Sequence, residues 1–274
     1  MSITAEKIQQ NWIDIEETIK LYISEPRCSK LLDFYHKYSE RLMLMPAAHK
    51  KEYHNAFPGG YVDHVLRVID CALKLNDLWI EMGADSSSYT KEELVFSALN
   101  HDLGKMGDEN NESYIPQTDQ WRKDKLGEDY MFNNKIPFAS VPDRGLYLLQ
   151  SHGIQYSFNE MLAIQTHDGL YDEANKKYLH TFMPEQKPRT SLPYIIHQAD
   201  LMASRIEFEK EWLPKLNGKE EKTESKNFSI TKNTDPKKAT KTKALGNLKS
   251  EGLKNLRSEE HTSELQSRFG ISYA

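Results

Sequence analysis

Residues 91–108 read KEELVFSALNHDLGKMGD. Thr90 stands just before them, with Glu93 three residues on, and that spacing is a capping box opening a helix over about 91–103. Upstream, Ile8, Trp12, Ile15, Ile19 and Tyr22 recur at three- and four-residue steps, the period of one apolar helix face. Leu31, Leu32, Tyr35, Tyr38 and Leu42 repeat that pattern over 29–44. Pro58-Gly59-Gly60 then breaks the chain ahead of a helix expected over about 61–82. Downstream, residues 106–140 are polar and aromatic and carry Pro116 and Pro137. They read as a long irregular loop with room for a short hairpin. Helices resume over about 143–151, 158–167 and 192–212. Strand-like alternation is scarce, so the expected fold is an all-α helical bundle.

The chain has 274 residues, 38% of them hydrophobic, enough for a full core. Mean hydropathy is -0.72. No apolar run approaches the ~18 residues of a membrane span. The start, MSITAEKIQQNW, lacks the charged, apolar and small-residue succession of a secretory signal. Two cysteines, Cys28 and Cys71, cannot make a disulfide framework, so a reducing cytoplasm is the expected setting. The net charge of -5 is unevenly spread. Residues 213–256 hold eleven lysines against five acids, which leaves the preceding body strongly acidic. Such a body is a poor general binder of nucleic-acid backbone.

Four regions are expected along the chain. Residues 1–212 form the helical body, and 213–243 a disordered Lys-rich linker. Residues 244–256, ALGNLKSEGLKNL, carry leucines at 245, 248, 253 and 256, the spacing of a short amphipathic helix for the body or a partner of unknown identity. Residues 257–274 begin RSEEHTSELQS, the in-frame translation of a common sequencing-adapter oligonucleotide. They are read as an artefact, with the natural C-terminus lost.

The chemistry starts at His101-Asp102, near the end of the 91–103 pattern. Adjacent helical residues do not share a face, but these two side chains differ in reach and can converge on one ion. Imidazole nitrogen with carboxylate oxygen suits a borderline or hard divalent metal. His64 sits about one turn into the preceding helix, in GGYVDHVLRV. Asp200 lies mid-helix in IIHQADLMASRIE, among Ile195, Ile196, Ala199, Leu201 and Met202, and a carboxylate buried there needs a partner.

In this order, His64, then His101-Asp102, then a distant Asp200 resemble the HD-domain metal-dependent phosphohydrolases. Gly104-Lys105 completes the HDxGK version, and HNAFPGGYVDH resembles the family's approach to its first ligand helix. The resemblance covers roughly residues 30–210. PDRGLYLLQ, AIQTHDGLYDEAN and LPYIIHQADLMASRIE look closest to HD hydrolases of tailed bacteriophages, which would place the protein in a host cytoplasm. The resemblance implies an HD-domain helical bundle in which His64, His101, Asp102 and Asp200 hold one divalent ion. Mn²⁺, Fe²⁺, Co²⁺, Ni²⁺ or Zn²⁺ suits that set, with Mg²⁺ less favoured by the imidazoles. The ion would polarise a phosphoryl oxygen and lower the pKa of water. Asp102, Lys105 and His167 are the implied catalytic residues, and Lys105, Arg144 and His167 the implied contacts to the substrate phosphate.

A second ion is a further implication. Two-metal relatives draw extra histidines from the middle of the chain, and His152 and His167 are the candidates, with Asp102 bridging. This chain reads Pro142-Asp143-Arg144-Gly145 where relatives often carry a histidine, so one ion is expected, with Asp143 as an alternative oxygen ligand. His54 and Asn55 border the pocket or close the loop, and His197 is a candidate support one turn before Asp200. Asp63 and Asp108 are candidates for orienting water. Trp121, Arg122, Lys123 and Lys125 are a candidate clamp for a base and phosphate. The expected function is hydrolysis of a small phosphorylated substrate, a nucleotide or related ester. The alternatives are a phosphodiesterase (a 3′→5′ exonuclease or cyclic-nucleotide hydrolase) and a non-catalytic nucleotide binder.

Overall fold

The fold is described from a computed structural model covering residues 3–51, 53–211 and 213–216. The linker beyond Leu216, the expected 244–256 helix and the adapter-like 257–274 stretch lie outside the described residues. The helices are α1 (Ala5–Tyr22), α2 (Arg27–Lys37), α3 (Ser39–Leu44), α4 (Gly60–Glu81), α5 (Lys91–Asn100), α6 (Gln120–Leu126), α7 (Val141–Ser151), α8 (Phe158–Gln165), α9 (Lys176–Leu179), α10 (Leu192–Glu211) and α11 (Leu213–Leu216). The fold is all-α apart from one antiparallel pair, β1 (Tyr114–Pro116) with β2 (Tyr130–Phe132), in which Ile115 faces Met131. No helix among the described residues is long and apolar enough to cross a membrane.

Three expected elements come out differently. The 29–44 pattern splits, because Tyr38 leaves helical backbone (φ −112°, ψ 20°) and turns its ring onto Phe34 and His152. The 91–103 pattern ends as α-helix at Asn100, and a 3-10 turn over Leu103–Met106 follows. The long loop holds the expected strand pair but also α6, between an Asp119 cap and Gly127 at φ 62°. The Asp119 carboxylate accepts from the backbone N–H of Trp121 and Arg122, and that Asp…Gly bracket was present in the sequence.

α4, α5 and α10 form the centre, with α8 packed on α5 and α10. Every residue of α5 from Leu94 to Asn100 is buried. α4 contributes Val65, Val68, Ile69 and Ala72, and α10 contributes Leu192, Ile195, Ile196 and Ala199. Each such aliphatic, fully buried, stabilises by about 1.5–3 kcal/mol, against the entropy of ordering the chain.

α5 and α8 run side by side in the same direction. Each opens with a capping box, Thr90 with Glu93 and Ser157 with Glu160. Ser157 Oγ donates to Glu93 Oε1 at 2.6 Å, which joins the two N-termini. Arg27 of α2 completes this end, donating to Glu92 at 2.5 Å and to Glu160 at 2.8 Å. At the other end both helices finish in His-Asp, and the rings of His101 and His167 stand 5.0 Å apart. The core helices thus set two equivalent chain ends against one point.

Candidate metal centre

His101 and His167 are aimed by the same local device. A helix leaves its last carbonyls without backbone partners. The Nδ1 of His101 donates to the Ala98 carbonyl at 2.8 Å, and that of His167 to the Ile164 carbonyl at 2.8 Å. With Nδ1 the donor, each ring turns Nε2 away from its helix. His64, in the second turn of α4, is fixed from α10 instead. Both Glu207 oxygens lie 3.1–3.2 Å from its Nδ1, and Arg67 Nε donates to Glu207 Oε1 at 2.9 Å. The three Nε2 atoms and two aspartates converge. His64 Nε2 is 3.1 Å from Asp200 Oδ1 and 3.8 Å from Asp102 Oδ2. His101 Nε2 is 3.4 Å from Asp102 Oδ2 and 3.8 Å from Asp200 Oδ1. His167 Nε2 is 3.4 Å from Asp102 Oδ1.

The approach to α4 explains the Pro-Gly-Gly turn. Gly60 lies so close to the Asn55 carbonyl that any Cβ would overlap it. Asn55 donates to the Gly60 carbonyl and to Asp63 Oδ2 (3.3 and 3.1 Å). Asp63 also accepts from Asn11, so it locks the start of α4 rather than facing the centre. Gly104 has a similar reason. A Cβ there would strike the Val141 carbonyl, where α7 crosses the 3-10 turn that carries Lys105.

The charges are mutually dependent. Burial favours neutral carboxyls, but Lys105 and His101 hold Asp102 well below the usual carboxylate range. His64 and His101 do the same for Asp200 against its own burial. Burial disfavours charge on His64 too, yet Glu207 and Asp200 raise it to about 10. For His167, Asp168 and Asp102 outweigh burial and raise it to about 9. Lys105 Nζ donates to Asp102 Oδ2 at 2.5 Å, and that carboxylate lifts its pKa against burial. His54 is the exception, pushed well below its ordinary value by burial and by the charge on His64. Buried Asp102 and part-buried Asp200 carry more negative charge than Lys105 alone offsets, so further positive charge is favoured at this point, from protons on imidazole or from a cation.

The residues fit a divalent ion. The Nε2 atoms of His64 and His101 are buried with no hydrogen-bond partner, and so is that of His54. Unsatisfied buried nitrogens are uncommon and call for a ligand. Four overlapping groups bring ligand atoms within 4.8 Å of one another: His54, His64 and Asp102; His64, His101 and Asp200; His101, Asp102 and His167; His167, Asp168 and Asp200.

All four expected ligands, with Lys105 and His167, are brought together. Other candidates are not. His152 packs on Phe34 and Tyr38, with Nε2 3.2 Å from Lys37 Nζ, on another part of the molecule. Asp143 accepts from Gln165 at 3.2 Å and joins none of the four groups. Arg144 donates to the Pro137 carbonyl at 2.8 Å and lies near the Gly104 carbonyl, at 3.5 Å. Asp108 caps its own turn through the N–H groups of Asn110 and Asn111. Trp121, Arg122, Lys123 and Lys125 lie on α6, and Arg122 pairs with Glu128 at 2.7 Å. His54 does border the centre, its ring 4.5 Å from that of His64. His197 Nδ1 donates to the His167 carbonyl at 2.8 Å, a support for the His167 turn. Glu207 and Arg67 were not singled out from the sequence. The available signal was spacing, since Glu207 follows Asp200 by seven residues and so shares its helical face.

A cavity of about 460 Å³ opens beside these groups, lined at its inner end by His54, His167, Asp168, His197 and Asp200. Comparison with protein-family models, with curated proteins and with solved structures finds no match to this chain.

Proposed function

We propose that this protein is a metal-dependent phosphohydrolase of the HD type, acting on a nucleotide or a related phosphate ester. One observation carries the reading: buried, unpartnered Nε2 atoms of His64 and His101 face Asp102 and Asp200. A two-imidazole, two-carboxylate set suits a divalent transition ion. When bound, such an ion supplies Lewis-acid polarisation of a phosphoryl oxygen and activation of water. The chain's own groups do the rest. His64, His101, Asp102 and Asp200 hold the ion. Lys105, beside Asp102, sets positive charge where negative charge develops on the phosphoryl group. Asp168, half exposed in the cavity with Oδ1 3.6 Å from His167 Nε2, offers a carboxylate to an incoming water. The cavity is of a size for one small ligand.

A phosphodiesterase is the second reading, and the burial of His167 against Asp102 favours it. That nitrogen is placed more like a ligand to a second ion than like a surface contact to phosphate. The test uses the full chain loaded with Mn²⁺ or Co²⁺. Bound metal per chain is counted, and hydrolysis is screened across nucleoside mono-, di- and triphosphates, cyclic dinucleotides and short RNA. Hydrolysis of monomeric nucleotides that Asp102→Ala abolishes is the expected result. Cleavage of RNA or cyclic dinucleotides alone, with two ions bound, would establish the second reading. Bound metal with no hydrolysis would count against both readings for these substrates and leave the non-catalytic nucleotide-binder reading standing.

A further inference from the structure

The outer half of the cavity is built differently from the inner half. α10 supplies its floor. His197, Asp200, Leu201, Ser204, Arg205 and Phe208 all line it, and from residue 197 onward they follow the three- and four-residue steps of one helix face. Asp200 belongs to the metal centre. Arg205 and Phe208 lie five and eight residues further along, about 8–12 Å at 1.5 Å per residue. The Arg205 guanidinium rests 5.0 Å from the centre of the Phe208 ring. Two tyrosines flank the mouth, Tyr53 on a loop at 48% exposure and Tyr171 at the end of the 3-10 turn Gly169–Tyr171 at 83%. Large exposed aromatics around one opening are platforms for a flat apolar ring.

We infer that this outer half is a nucleobase subsite and that the ester is a nucleoside monophosphate. The inference rests on the phosphohydrolase reading of the metal centre. With a phosphate near Asp200, Arg205 and Phe208 lie about 8–12 Å along the helix, a separation that a sugar and its base together can span. The aromatics supply stacking and Arg205 a cation for the ring's face or carbonyls. Charge argues for a single phosphate. Among the described residues lining this cavity, Arg205 is the one Lys or Arg, against Asp168 and Asp200. A chain of phosphates laid along it would find one guanidinium, Arg205, and would meet the Asp168 carboxylate, whose neighbour His167 is already engaged by Asp102 and Asp168.

The test compares three substrate types on the Mn²⁺-loaded full chain: the common nucleoside monophosphates, their triphosphates, and ribose 5-phosphate, which lacks a base. At least one monophosphate should exceed ribose 5-phosphate in kcat/KM by on the order of a hundredfold, as stacking and a guanidinium contact together allow. Tyr171→Ala, at an exposed position that does not endanger folding, should lower that ratio by on the order of tenfold. Phe208→Leu should lower it while Phe208→Tyr keeps it. Calorimetry of the metal-free protein with the matching nucleoside should detect binding that Tyr171→Ala weakens. Equal hydrolysis of ribose 5-phosphate and every monophosphate would overturn the base subsite and leave the phosphohydrolase reading standing. Hydrolysis of triphosphates with monophosphates untouched would overturn the single-phosphate assignment. Nucleoside binding with no ester hydrolysed would support the subsite and overturn the phosphohydrolase reading. Neither binding nor hydrolysis would overturn both.

Discussion

Asp102 is the residue on which the centre turns. One carboxylate meets His101, His167 and Lys105, at 3.4, 3.4 and 2.5 Å. Asp102→Ala should abolish metal binding while the helical circular-dichroism spectrum persists, because the core aliphatics do not depend on it. Glu207 acts through another group, holding Nδ1 of His64 while Arg67 holds Glu207. Glu207→Gln keeps the shape but replaces a carboxylate with an amide. Its expected effect is a metal affinity lower by about 10–100-fold, with the Co²⁺ absorption spectrum altered in the loaded protein. An unchanged affinity and spectrum would show that His64 does not need this partner. That His64, His101, Asp102 and Asp200 cluster could be anticipated from the sequence through the resemblance of their order to the HD pattern, since each residue alone is ordinary. Glu207 could not be assigned, because its role depends on α10 lying against α4.

At the scale of elements, Arg27 holds α2, α5 and α8 together at the end away from the candidate metal centre. Its guanidinium bonds Glu160, whose side chain is fully buried, and lies 4.3 Å from the centre of the Phe96 ring. Arg27→Ala leaves a buried carboxylate without its cation and should destabilise the fold by about 3–5 kcal/mol in chemical denaturation. α5 places roughly 15 Å between that clamp and His101, so metal affinity measured on folded protein should change little. The same cluster has a pH signature. Glu92 is held below its ordinary value of 4.5, because Arg27 and Ser24 outweigh its partial burial. A depressed folded-state pKa gives stability that is present above 4.5 and lost as pH falls through the folded value. Glu160 has the opposite shift, raised by burial against Ser157 and Arg27, so it takes its proton first on acidification. Denaturation midpoints should therefore fall as the pH drops below about 4.5, and Glu92→Gln should flatten part of that slope. The apolar period made the helices legible, but the break at Tyr38 was not, since the Tyr38 ring meets His152, 114 residues on, a tertiary contact no local pattern carries. α6 was legible in principle, through Asp119 and Gly127.

Over the whole molecule, the expected ligands come from residues 64 to 200, so one ion would tie α4, the end of α5 and α10 into a single unit. Saturating metal should raise the unfolding temperature. At a free concentration a hundredfold above Kd, the gain is about 2.7 kcal/mol. Truncation after Leu216 should keep both the metal and this stabilisation, because every proposed ligand lies within the described body. Loss of bound metal on truncation would show that the tail contributes to the centre. Several polar candidates could not be sorted from sequence alone. His152 and His167 look alike as letters, and only the direction in which each helix end points separates them. His101 and His167 take their aim from main-chain carbonyls, which every residue type supplies, whereas His64 takes its aim from the side chain of Glu207. The aim of the first two therefore tolerates any side chain at 98 or 164 that keeps the buried packing, and in a random mutant library the losses of candidate-site metal that spare both the proposed ligands and the core should concentrate at Glu207 and Arg67.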